Sequence, residues 1–186
     1  QISSILPSSI AGLTASHISA LSTSQMAALT SNQVAQFSQA QLAKVSKAQV
    51  SAMSFDQLNG MSTGQIGSLT GAQLSGISTS QIGNVKTESL NVMSVKQIQA
   101  LTTDQIIALI GDQLGALGTG QVSAMSIAQI GAIETRDLTS MSTGQIRAMG
   151  VTQVAALKTS QLNALTTAQL QALEVQEIAK LTTAQV

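Results

Sequence analysis

An eight-residue period runs through the sequence with no insertion or deletion, and no other feature limits the fold so tightly. Leu165-Thr166-Thr167-Ala168-Gln169-Leu170-Gln171-Ala172 shows it most plainly, and its positions define columns 0 to 7. Column 0 runs Leu13, Leu21, Leu29, Phe37, Val45 and on to Leu181, and all 22 residues are apolar. Column 5 runs Ile18, Met26, Val34, Leu42 and on to Val186, again apolar at all 22 positions. Column 4 is Gln at 18 of 22, the exceptions being His17, Ser89, Asp137 and Glu177.

Three secondary structures compete for such a period. A continuous α-helix advances about 100° per residue, so an octad drifts by about 80° and no apolar seam persists. A strand alternates its side chains and puts columns 0 and 5 on opposite faces, which a β-solenoid could accommodate around a corner. A very short helix in every octad fits the local chemistry best. Column 1 is Ser or Thr in 15 of 22 octads, three residues before the Gln column. Ser/Thr-x-x-Gln is a capping box: the hydroxyl accepts from the N3 amide, and the Gln side chain reaches back to the N-cap amide. With column 1 as N-cap, columns 0 and 5 become N′ and N4, the two apolar ends of a hydrophobic staple.

Other columns agree. Pro7, the single proline, falls in column 2, the first helical position, where its missing N–H costs nothing. Asp56, Glu88, Asp104 and Asp112 lie in column 3, near the positive helix end, although Lys96 and Arg136 share that column. Column 7 is Ala in 12 octads, with Gly12, Gly60, Gly76, Ser68 and Ser140 adding small residues, which predicts close approach of neighbouring repeats. Column 6 mixes Ala, Ser, Asn, Gly, Gln and Arg147, as an exposed face would.

A helix this short does not survive alone in water, so each octad must bury its apolar pair against earlier and later octads. The expected fold is therefore all-α: a solenoid or superhelix of very short capped helices, one per octad, with three or four octads per turn; a β-solenoid is the alternative. Residues 1–12 are the least regular, with Leu6 in the cap column and Ser9 in the Gln column, and read as an irregular first turn or cap. Residues 13–186 read as one continuous array. Gln185-Val186 repeats the phase of Gln1-Ile2, which is compatible with end-to-end continuation or a longer parent chain.

Composition narrows function mainly by subtraction. Formal net charge is zero and only 1% of residues are aromatic, which argues against nucleic-acid binding. There is no Cys, so disulfides and thiolate metal sites are excluded. No apolar run is long enough to span a bilayer, and no membrane insertion is expected. His17 is the only histidine, and it has no second histidine or thiol to complete a metal site. The serines have no base to activate them, and Gly118-Thr119-Gly120 lacks the following Lys and the strand–loop–helix setting of a phosphate loop. All seven Met lie in columns 0 and 5 and read as core. No catalytic, cofactor-binding or metal residue emerges, and no enzyme activity or cofactor is expected. Thr fills column 2 in 11 octads, Thr63, Thr79, Thr103 and Thr119 among them; such a hydroxyl ladder is also what flat ice-binding faces present.

The Leu-Thr-Thr-Ala-Gln-Leu pattern at 165–170, echoed at 101–106 and 181–186, resembles the Thr/Ala/Gln-rich tandem repeats of very large bacterial secreted or surface proteins of adhesin-like type. The resemblance covers essentially the whole chain. It implies an extracellular or cell-surface protein whose repeats form a rod, stalk or filament, and it supplies no active-site residues. Self-association or continuation of a longer repeat chain is the expected partnership. A binding module for a glycan or protein ligand, or an ice-binding surface, is the alternative.

Overall fold

A computed structural model of the chain describes residues 1–185. Among them there are 22 short α-helices, a single 3-10 turn at Ile2–Ser4, and no strand. The helices run from Pro7–Ile10 to Val175–Ile178 at one per octad, each four to six residues long. The all-α solenoid expectation holds, and both the β-solenoid and the long-helix alternatives fall.

The capping chemistry accounts for most of the starts; those at Leu6, Lys86 and Glu134 have no side-chain cap. Ser22 has extended backbone and its hydroxyl accepts from the Gln25 amide at 3.1 Å, while Gln25 Oε1 accepts from the Ser22 amide at 2.8 Å. The pair recurs at Ser46 with Gln49 and at Thr102 with Gln105. Each stop is equally local. Column 0 or the residues just before it close the last turn, as where the Leu29 amide donates to the Met26 carbonyl and Leu29 returns to extended backbone. One octad is thus a single helical stretch and a short extended corner. No described residue, glycine included, has a positive φ.

Packing follows from the apolar columns. The chain forms two compact units, residues 1–101 and 102–186. In the first, Ser31–Val34 packs on Phe55–Gly60, Thr23–Ala28 on Lys47–Ala52, and Gly71–Leu74 on Val95–Ala100. In the second, Thr103–Ala108 packs on Ile127–Ala132 and Thr135–Leu138 on Thr159–Ala164. Every such pair is three octads apart, so each unit winds as stacked turns, with columns 0 and 5 buried between them. Burial also has a polarity. In the earliest octads column 5 is covered (Ile10 and Ile18 are buried) while column 0, at Ile5, Leu13 and Leu21, is only half-buried. In the last octads the order reverses: Leu165 and Leu173 are buried, and Leu170 and Ile178 are exposed. Column 5 is therefore covered by the following turn and column 0 by the preceding one. Val186, the last residue of column 5, lies outside the described residues.

The small residues of column 7 mark the closest approach. A Cβ added to Gly60 would meet the Ser31 Cβ at 3.0 Å, and one added to Gly76 would lie 2.6 Å from the Lys47 carbonyl oxygen. Gly71 faces Ala100, and Gly111 faces Ser140, in the same relation. Each pair joins column 7 to column 2 of a helix 29 residues earlier, so small side chains in either column let the helices close up.

Candidate functional site: a glutamine tie between turns

The one polar column that is buried is column 4. From Gln33 to Gln169 its glutamines are 0 to 7% exposed. An unpaired amide there would cost about 1–3 kcal/mol, and both ends of the side chain are used. Oε1 accepts from the N-cap amide of its own octad. Nε2 crosses to the preceding turn and donates to main-chain carbonyls there, typically those 31 and 28 residues earlier, although Gln81 takes Ser51 and Met53. Gln41 reaches Ile10 at 3.0 Å and Leu13 at 2.7 Å. Gln73 reaches Leu42 and Val45, both at 2.7 Å. In the second unit Gln145 reaches Leu114 at 2.8 Å and Leu117 at 2.7 Å, and Gln169 reaches Leu138 and Met141 at 2.8 and 2.7 Å. Those carbonyls belong to columns 5 and 0. One side chain thus starts its own helix and ties it to the turn before.

Column 1 turns out to be the more dispensable half of the box. Where it is Gly118, Gly150 or Lys158, no side chain caps the helix, yet the N-cap amide still donates to the Gln Oε1 at 2.6, 2.7 and 2.9 Å. Gly118-Thr119-Gly120 is accordingly a helix start.

The four exceptions in column 4 divide by position and chemistry. His17 sits in the first turn and is exposed; its Nδ1 accepts from the Thr14 amide at 3.2 Å, replacing the Gln Oε1 in the box. Glu177 keeps half of the function: Oε2 accepts from the Glu174 amide at 2.8 Å, but a carboxylate brings no amide donor to the turn before. Asp137 is one methylene shorter and takes Arg136 Nε at 3.3 Å, while Arg136 Nη2 pairs with Glu134 at 2.7 Å. Ser89 cannot reach the Lys86 amide as a Gln would. Asn59, on the preceding turn, does so instead: its Oδ1 accepts from the Lys86 amide at 3.1 Å, its Nδ2 donates to the Asn84 carbonyl at 2.8 Å, and Lys86 Nζ donates to the Asn59 carbonyl at 3.0 Å. Nothing in column 6 marks Asn59 for that role.

The tie between turns is absent from a capping-box reading, but the sequence holds a signal for it. Glu completes a capping box as well as Gln does. Eighteen Gln against one Glu in column 4 therefore reports a demand for a donor as well as an acceptor.

This is a tandem repeat protein. Residues 130–167 match the family model described as the ALTTAQ repeat. Ala164-Leu165-Thr166-Thr167-Ala168-Gln169 spells that motif, and it corresponds to columns 7, 0, 1, 2, 3 and 4. Its final residue is therefore the tie. No curated protein matches the chain. Among the described residues no helix is long and apolar enough to cross a membrane.

Proposed function

We propose that the chain is a non-enzymatic structural element, an extended stalk or spacer that works in the extracellular space or at the surface of a bacterial cell. The observation that carries this reading is where the recurring polar groups go. Column 4 amides are consumed in capping and in ties, and column 1 hydroxyls in capping, as at Ser46 with Gln49 and Gln49 with Ile18 and Leu21. The repeated chemistry is spent on holding one octad to the next. A length of repeat is then a length of material, as in other solenoids whose stability is a sum of neighbour terms. The resemblance of the Leu-Thr-Thr-Ala-Gln-Leu pattern to large secreted repeats supports the location.

Small-angle scattering of the dilute chain tests the spacer, with an elongated particle expected; a compact sphere of the same mass sinks it. Protease treatment of intact cells tests the location. Loss of the repeat without lysis is expected, and complete protection until lysis overturns the placement.

A further inference from the structure

In the second unit several departures from the repeat converge. Ile110, Glu134 and Lys158 all stand where column 1 has a hydroxyl, and successive ones are three octads apart, one turn of the stack. They therefore follow one another along a single edge. Arg136 brings a cation into column 3, Asp137 displaces the glutamine of column 4, and Ile107 is the one large aliphatic residue of column 6. At this edge the structure opens a cavity of ≈ 470 Å³, the size of a small-molecule site, with Ile107, Ile133, Glu134, Arg136 and Lys158 in its wall. Turns of the same array stand before and after it. Thr135–Leu138 packs on both Gly111–Gly115 and Thr159–Ala164, and the Thr159 hydroxyl donates to the Ala184 carbonyl at 2.9 Å.

The charges in the cavity are not equivalent. Arg136 is held from two sides, Nη2 by Glu134 at 2.7 Å and Nε by the buried Asp137 at 3.3 Å. Two of its five N–H groups are engaged, which leaves three on a guanidinium of fixed orientation. Lys158 has no carboxylate within salt-bridge distance among the described residues, so its charge is unmatched. The Thr135 and Ser160 hydroxyls also line the cavity and make no hydrogen bond among the described residues. Ile107, 42% exposed, supplies an apolar strip. Oriented donors beside one unmatched positive charge suit a carboxylate. Hydroxyls that both donate and accept, with little apolar wall, suit a hydroxylated body and not a lipid-like one. We propose that this edge binds an acidic sugar. Lys158 and Arg136 hold its carboxylate, Thr135, Ser160 and the second carboxylate oxygen of Glu134 meet its hydroxyls, and Ile107 takes the C–H face of the ring. The proposal adds a ligand to the spacer and does not depend on it.

The test titrates the full, isotopically labelled chain and two variants with glucuronic acid, glucose and acetate, read by amide chemical shifts. Lys158→Ser removes the cation and restores a column 1 hydroxyl, and Ile107→Ala trims an exposed side chain; the same spectra report whether each variant is folded. Saturable binding of glucuronic acid is expected, with a Kd of about 1 mM and shifts confined to the surroundings of Glu134 and Lys158. Glucose and acetate each carry half of the recognised chemistry and are expected to bind at least about tenfold more weakly. Lys158→Ser is expected to weaken glucuronic acid binding by about tenfold, and Ile107→Ala by about threefold. Absence of saturable binding overturns the proposal, as does binding that Lys158→Ser leaves unchanged. Acetate or glucose binding as tightly as glucuronic acid would show that the site does not read an acidic sugar. None of these outcomes touches the spacer reading, which scattering tests through shape alone.

Discussion

A single atom, the Nε2 of the column 4 glutamine, separates this fold from a string of capped helices. Replacing Gln73 by Glu keeps an oxygen for the Thr70 amide but sets a carboxylate against the Leu42 and Val45 carbonyls. A loss of about 2–4 kcal/mol is expected in chemical denaturation, because a buried charge meets two acceptors and no donor. The reverse change is already framed by the protein. Glu177→Gln should add about 1 kcal/mol, by supplying the donor that position lacks toward the turn before. A Glu177→Gln variant no more stable than the parent would show that the tie contributes nothing there.

At the level of the octad, helices of four to six residues survive because both ends are fixed by neighbours and not by length. Glycines separate helix propensity from packing. Gly131 lies inside Ile127–Ala132 with nothing within 4 Å of an added Cβ, so Gly131→Ala should stabilise by about 0.5–1 kcal/mol. Gly76→Ala should destabilise by about 1–3 kcal/mol, since its Cβ would press on the Lys47 carbonyl oxygen. Equal effects of the two in thermal unfolding would contradict the column 7 to column 2 contact. Much of the octad is legible from sequence: the unbroken phase, the box at Ser22 and Gln25 and its relatives, Pro7 at a helix start, and the small column 7. Each of those depends on residues within one or two turns of a helix. The link from Gln41 to Ile10 and Leu13 is not legible in the same way, because its span follows from how many octads complete a turn. That number is set by how columns 0, 2, 5 and 7 fit together. The use of Asn59 at Lys86 is further out of reach, since it is one substitution compensating another across the stack.

Over each unit, order comes from contacts three octads apart, repeated with little variation. A repeat array of this kind should tolerate loss of a whole octad better than loss of one residue. Deleting residues 149–156 should leave the helical circular dichroism per residue unchanged and lower the denaturation midpoint modestly. Deleting Gln153 alone shifts every later column out of phase with the earlier ones and should abolish cooperative unfolding. Equivalent outcomes for the two deletions would show that register is not what holds the stack together.

The acceptors of the tie are main-chain carbonyls, as at Ile10 and Leu13 or Leu138 and Met141. Every amino acid owns one, so a glutamine that gains a new partner when the coding DNA slips by whole repeats gains a chemically identical one. Length in such an array can then change by whole octads without changing the chemistry of any tie, while column 4 stays Gln at 18 of 22 positions.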